Sequence, residues 1–308
     1  MRFEPSKFGR SFSVFVLVSV FFLLFFFWIN PLFNYLLRDS RQIKVSAVTD
    51  RIQLQIDINK IAKPNIIWRL SGPLSIFVNQ QEYPIAGPIR VHFDKGGTIA
   101  VEKKNSDKFK LVVLEGLVSD ILESEELGNL PPIETHRDYL EFSQNQSFSN
   151  GMLEFNASVQ VGAPPISGYK TVLKKGEYAI AETLPMRVFG PDGPVIYREG
   201  ALAHGDVVKI INVDGCDNDH DNEDHFVQSY GYFTILDGEI FVNTVSELTD
   251  SALLISRPGE FSSCVTPRWF DIAIKDPFLI ATVSLLALCL ATIELYAKLL
   301  KIVRHKFD

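Results

Sequence analysis

A chain of 308 residues that is 46% hydrophobic and 22% charged has a globular composition, with room for one large domain or two ordinary ones. Its formal net charge of −7, with no basic amphipathic stretch in the middle of the chain, argues against nucleic acid as a partner, because that binding rests on clustered Lys and Arg.

Residues 1–10 form a short tail in which Arg2, Lys7 and Arg10 outnumber Glu4. Ser11 to Trp28 then gives 18 residues without a charge, and the apolar run continues to Leu37 with Asn30 and Asn34 as interruptions. A helix rises about 1.5 Å per residue, so ~20 apolar residues match a hydrocarbon core ~30 Å thick. Residues 11–37 are therefore expected to form a first transmembrane helix. A cleaved secretory signal is the rival reading, but the apolar stretch exceeds the usual h-region and no small-x-small cleavage site comes after it. The next residues, Asn30-Pro31-Leu32-Phe33-Asn34-Tyr35, are bulky and aromatic instead.

Residues 38–118 read as a β domain. Ile52, Leu54, Ile56 and Ile58 alternate with Gln53, Gln55 and Asp57, the period of a strand with one dry face. Ile89, Val91 and Phe93 alternate likewise, and the turn Asp94-Lys95-Gly96-Gly97 before Ile99 and Val101 reads as a hairpin. Residues 119–151 are polar and contain Pro131-Pro132; they read as a connector. Residues 152–276 read as a second β unit. Leu153, Phe155, Val159 and Val161 alternate, and short β-branched or aromatic runs at Val207 to Val213, Tyr232 to Leu236 and Glu239 to Val242 are bounded by Asp-Gly turns. The fold class expected is mainly β: extracytoplasmic antiparallel sandwich or small-barrel units, flanked by an N-terminal and a C-terminal transmembrane helix.

Part of the second unit has a family resemblance. Leu184-Pro185-Met186-Arg187-Val188, Gly190-Pro191, Gly200-Ala201-Leu202 and Gly205-Asp206-Val207-Val208 resemble the opening of a bacterial SH3-like domain, and Gly238-Glu239-Ile240-Phe241-Val242 stands where that family shows Gly-Trp-Val. The tryptophan is absent and 215–225 is an insertion. The resemblance covers residues 180–248 and implies a small barrel that binds cell-wall peptides or proteins.

Within the insertion, Asp217, Asp219 and Asp221 alternate like the first three ligands of a calcium loop. Asn222 replaces the loop glycine and Gln228 the final glutamate, so a solvated acidic hairpin tip is the competing reading. His220 and His225 have irregular spacing for a transition metal. Cys216 and Cys264 both fall in the outer region, where an oxidising compartment permits a disulfide between them. No Gly-x-Ser-x-Gly, His-Glu-x-x-His, phosphate-binding glycine loop or Cys-x-x-Cys occurs, so no catalytic residue is assigned. His92 reads as a strand-face residue and His204 as a turn neighbour. Asn145 and Asn156 match the glycosylation acceptor pattern.

Pro277 to Ile293 is again uncharged and continues to Ala297; residues 277–297 are expected to form the second transmembrane helix. Cys289 reads as a small apolar residue within it. Glu294 there is either part of an ion path or, with Lys298 four residues on, half of an interfacial ion pair. In residues 298–308, Lys298, Lys301, Arg304 and Lys306 outnumber Asp308. Basic flanks stay cytoplasmic, so both tails are expected inside a cell (inner) membrane with residues 38–276 extracytoplasmic. The lipid bilayer is one expected partner, and a protein or cell-wall component of the envelope another. The leading expectation is a non-catalytic, membrane-anchored envelope protein whose β region binds or scaffolds that component. The alternatives are a sensor or regulatory subunit with a Ca²⁺-responsive acidic loop, and an extracytoplasmic hydrolase without a recognisable motif.

Overall fold

The computed structural model describes residues 41–56, 67–92, 97–116, 122–123, 134–143, 152–163, 172–182, 195–216, 226–259 and 261–267, with single helical positions between Asp271 and Lys298. The chain divides into two compact units, 1–39 and 40–308, and all of the described strands belong to the second.

The mainly β reading holds. In chain order the described strands are β1 (Gln42–Thr49), β2 (Arg51–Ile56), β3 (Ile67–Leu70), β4 (Leu74–Val78), β5 (Gln81–Ile85), β6 (Ile89–His92), β7 (Gly97–Lys103), β8 (Lys108–Glu115), β9 (Leu122–Glu123) and β10 (Tyr139–Ser143). They continue with β11 (Leu153–Val161), β12 (Leu173–Glu182), β13 (Val195–Leu202), β14 (Val207–Asn212), β15 (Gln228–Leu236), β16 (Glu239–Ser246), β17 (Ser251–Ser256) and β18 (Ser263–Val265). Fifteen of them join one antiparallel sheet in the order β13-β12-β1-β16-β15-β11-β2-β7-β8-β10-β4-β5, with β14 pairing β11 and β17, and β18 pairing β17. The strands β3-β6-β9 make a separate small sheet.

Alternation decides which side of each strand is dry. Ile52, Leu54 and Ile56 are buried while Gln53 and Gln55 reach the opposite face. The same rule places Ile43, Val45, Leu111, Phe155, Phe233 and Val242 on one shared apolar face. The large sheet exceeds the ~10 strands beyond which twisted sheets usually curl, split or flatten. Its apolar face and that of the small sheet (Trp68, Leu70, Ile89, Val91, Leu122) form one continuous core. Trp68 ties the two sheets: its indole Nε1 donates to the Glu154 carbonyl at 2.7 Å, and its ring meets Phe233 edge-on at 5.2 Å.

Pairing runs across the units read from sequence. β1 lies between β12 and β16, whereas β2, one residue later, lies between β7 and β11. The corner between them is Asp50, whose N–H donates to Val172 O at 3.1 Å and whose carbonyl accepts from Lys103 N at 2.8 Å. Its carboxylate meets Lys174 at 3.3 Å, which in turn bonds Glu239 at 2.7 Å. Within 119–151, β9 pairs β6 and β10 sits between β8 and β4.

The hairpin expected at Asp94-Lys95-Gly96-Gly97 does not form between the strands around it. β6 pairs β3 and β9, while β7 pairs β2 and β8. The reason is that Ile89 and Val91 cover the core from the small sheet, so the chain must change layers there. The Asp237-Gly238 turn is a true two-residue hairpin: both residues have positive φ, 51° and 72°, and Leu236 pairs Glu239.

The segment 11–37 lies outside the described residues, and among the described residues no helix is long and apolar enough to cross a membrane. The described positions in 277–297 are helical, and Ile280, Val283, Leu288 and Leu290 among them are exposed. Ser284 Oγ bonds Ile280 O at 2.7 Å, and Lys298 pairs Glu294 at 2.8 Å, the i,i+4 contact read from sequence.

Candidate polar cleft

The polar side of the large sheet carries side chains in straight cross-strand rows. One row reads Phe77–Tyr139–Val112–Ala100–Gln53–Gln160–Lys209 across β4, β10, β8, β7, β2, β11 and β14. A second reads Glu115–Thr98–Gln55–Ser158–Gln228 across β8, β7, β2, β11 and β15. Where these rows run side by side they line a cleft of about 270 Å³, bounded by Gln53, Gln55, Thr98, Glu115, His136, Ser158, Gln160, Lys209 and Phe226.

Each wall has a local cause. Thr98 Oγ1 donates to Glu115 Oε2 at 2.9 Å, which holds the carboxylate across the β7–β8 bulge. His136 sits at φ 64° on a turn built by buried Asp138, whose carboxylate accepts from Glu134 N at 2.7 Å and Asn79 N at 3.0 Å. The His136 N–H bonds Val113 O at 2.9 Å, so the turn is pinned to β8. On the far wall Lys209 Nζ lies 5.2 Å from the centroid of the Phe226 ring. Gln53 accepts from Arg51 Nη2 at 3.3 Å, and Gln160 Nε2 donates to Gly162 O at 3.3 Å. Glu115 and Lys209 balance in charge, and three amides and two hydroxyls surround them. Because β2, β7 and β11 are paired along both edges, the lining reads a ligand through side chains that donate and accept hydrogen bonds rather than through free backbone.

Beside the cleft runs a ladder of alternating charge, Glu141–Lys110–Glu102–Arg51, directly opposite one another on β10, β8, β7 and β2. Glu102 forms ion pairs with Arg51, Nε at 3.2 Å, and with Lys110, Nζ at 2.6 Å. Glu141 receives Lys104 at 2.5 Å and also Lys108. Lys104 bonds Tyr139 OH at 3.0 Å and lies 4.5 Å from the Phe77 ring, which stacks on Tyr139 at 4.8 Å. Burial opposes the charged form of Glu141, but hydrogen bonds from Lys104 and Lys108 outweigh it and hold the carboxyl below its ordinary range. Burial likewise works against the Lys104 cation, and bonds to Glu141 and Tyr139 outweigh it and raise its pKa.

The residues singled out from sequence fall elsewhere. Asp217, Asp219 and Asp221, with His220 and His225, lie outside the described residues, and among the described residues no group of three or more His, Cys, Asp or Glu is placed to hold a metal. Cys216 and Cys264 form a disulfide with Cα atoms 5.9 Å apart. Both pack with Val213 and Phe226 onto Ile211, Ala252 and Leu254, so the cystine supports the cleft wall that carries Phe226. His92 is on a strand, as read, and bonds Glu123 at 2.7 Å; that bond holds the Glu123 carboxyl below its ordinary range. His204 is in the β13–β14 turn. Asn156 is 4% exposed and hydrogen-bonded within the sheet, which bars it as a glycan acceptor once folded; Asn145 lies outside the described residues.

Of the SH3-like motif, residues 184–190 lie outside the described residues, Gly200-Ala201-Leu202 is in β13, and Gly205-Asp206 forms the turn into β14. Asp206 is buried there, accepting from Ala203 N at 2.8 Å and Arg257 Nε at 3.0 Å. Sequence reading did not bring together His136, Glu115, Thr98, Ser158, Gln160 and Lys209. The available signal was polarity at alternate positions of β2, β7 and β11, which gives the face but not the register that gathers them. The chain matches no protein-family model, no curated protein and no solved structure.

Proposed function

We propose that this chain is a non-catalytic, membrane-anchored envelope protein, and that the cleft on the polar face of its sheet binds another envelope component. The observation that carries the reading is the cleft itself: amide, hydroxyl and balanced charged side chains gathered from paired strands of one sheet and from the His136 turn, with Glu115 and Gln160 oriented by hydrogen bonds. The Cys216–Cys264 cystine fits an oxidising, extracytoplasmic compartment. The anchor rests on the uncharged run 11–28, on the apolar run 277–293, and on exposed Ile280, Val283, Leu288 and Leu290 along a helix. Basic residues at both chain ends orient the β region outward.

The test is a fractionation of cells producing the full chain, followed by purification with a neutral cross-linker. The expected result is recovery in membranes after alkaline extraction, protease attack on the β region only from outside, and an envelope component that is retained by the wild type and lost by Gln55→Trp. Recovery of the chain in a high-speed supernatant without detergent overturns the anchor. A Gln55→Trp protein that retains its partner overturns the cleft.

A further inference from the structure

The two apolar runs of the chain join the β region at the same end of the fold. Arg41, four residues past Leu37 at the close of the first run, bridges Thr249 through backbone hydrogen bonds of 2.8 and 3.2 Å. Its guanidinium meets Asp250 at 3.3 Å, and Ser251 Oγ reaches its carbonyl at 3.4 Å. The second run follows β18, which is antiparallel to β17 and runs toward the start of that strand, with Val265 opposite Leu253. Arg198 of β13 holds the chain as it leaves β18, its Nη1 donating to Thr266 O at 2.8 Å. Entry and exit therefore both lie where β16 turns into β17.

That rim presents apolar side chains to solvent. Leu248, in the β16–β17 turn itself, is 48% exposed. Ile196 is 42% exposed in the cross-strand row Gln42–Ala181–Ile196, which begins one residue after Arg41. Tyr230, opposite Val245, has a half-exposed ring whose hydroxyl bonds Glu247 at 2.7 Å. An apolar body with a polar tip suits the boundary between hydrocarbon and water. The charges of the rim give no attraction to anionic lipid: Arg41 is paired with Asp250, and Glu182, Glu199 and Glu247 outnumber Lys44.

The geometry points to this rim as the surface that rests on the outer leaflet of the bilayer, with Leu248 and Ile196 entering the headgroup region. This rests on the reading of the two apolar runs as membrane anchors. Four residues of extended chain span at most about 14 Å, so an anchor that closes at Leu37 keeps Arg41, and the turn bonded to it, near the lipid surface. Apolar groups at an interface settle about 5–10 Å into the headgroup and acyl boundary, a depth that a turn residue and a strand-end residue can reach without unfolding. Exposure alone does not single out these side chains. Leu236 is 53% exposed, but it sits in the hairpin at the other end of β16, away from both connections and about 25 Å along the strand from Leu248.

The experiment uses the full chain with Cys289→Ala, its Cys216–Cys264 disulfide intact, in phosphatidylcholine nanodiscs. Leu248→Cys, Ile196→Cys and Leu236→Cys are each labelled with a fluorophore, and quenching by lipid carrying a nitroxide near its headgroup is measured. The labels at 248 and 196 are expected to be quenched about twofold or more above the label at 236, equally with and without phosphatidylglycerol in the disc. A label at either rim position quenched no more than the one at 236, in a chain that floats with lipid on a density gradient, overturns the rim and leaves the anchors standing. Quenching that requires phosphatidylglycerol overturns the apolar contact. A chain that does not float with lipid overturns the anchors and the rim together.

Discussion

Glu102 is the central anion of the charge ladder, and replacing it by glutamine removes the charge while keeping the shape. Its side chain is 4% exposed, against 16% for Arg51 and 25% for Lys110, so the two cations it joins have limited access to water. Removing one partner from a fully buried pair costs about 3–5 kcal/mol, because the charge left behind is unmatched. Here Lys110 can extend outward and recover part of its hydration, which brings the expected cost of Glu102→Gln to about 2–3 kcal/mol. In a region of this size each kcal/mol moves Tm by about 2–4 °C, so the fall should be about 4–12 °C. Thermal unfolding of the full chain in nanodiscs, followed by tryptophan fluorescence, measures it. The triple variant Arg51→Met, Glu102→Met, Lys110→Met supplies the control: with all three charges gone and their volume kept, most of the lost stability should return. A fall in Tm below about 2 °C for Glu102→Gln, or a triple variant worse than the single, refutes the argument that mutual compensation holds this face together.

Trp68→Phe removes the bond to Glu154 O that joins the two sheets, so a loss of about 0.5–1.5 kcal/mol is expected, with faster amide exchange in β3 and β6 than in β16. The Glu141 cluster should make stability depend on pH at both extremes. Glu141 has a lowered pKa, so its contribution is present above the ordinary carboxylate range and is lost as pH falls through the lower folded value; Glu141→Gln should flatten the acid limb of a Tm–pH curve. Lys104 has a raised pKa, so its contribution is complete below the ordinary lysine value of 10.5 and is lost only as pH rises beyond the folded value; Lys104→Met should flatten the alkaline limb. Cys216→Ser with Cys264→Ser opens a loop of sequence separation 48 and should cost about 2–4 kcal/mol, read as a lowered denaturant midpoint in the absence of reductant.

Strands were legible wherever one side of the chain is dry. Ile52, Leu54 and Ile56 announce β2 without reference to anything else, and Asp237-Gly238 announces its hairpin because two positive-φ residues in succession favour that pair. Pairing was not legible. Nothing at Asp50 signals that β1 and β2 part to different neighbours, because the cause is distributed over Val172, Lys103 and Lys174. The hairpin expected before Ile99 failed for a similar reason: the local turn signal competes with burial of Ile89 and Val91 in the other sheet, and burial wins. The cleft was least legible of all. Gln53 and Gln160 are ordinary polar positions of their own strands, and only a register set across 107 residues puts them side by side.

Whether the cleft is where this protein meets its partner is tested most directly by photo-cross-linking from within it. A photoreactive residue placed at Gln55, and separately at Ser75 on a distant strand of the same face, is activated in cells producing the full chain. A discrete adduct from Gln55 and none from Ser75 is the expected result. Equal adducts from both positions, or none from Gln55 while Ser75 reacts, would contradict it.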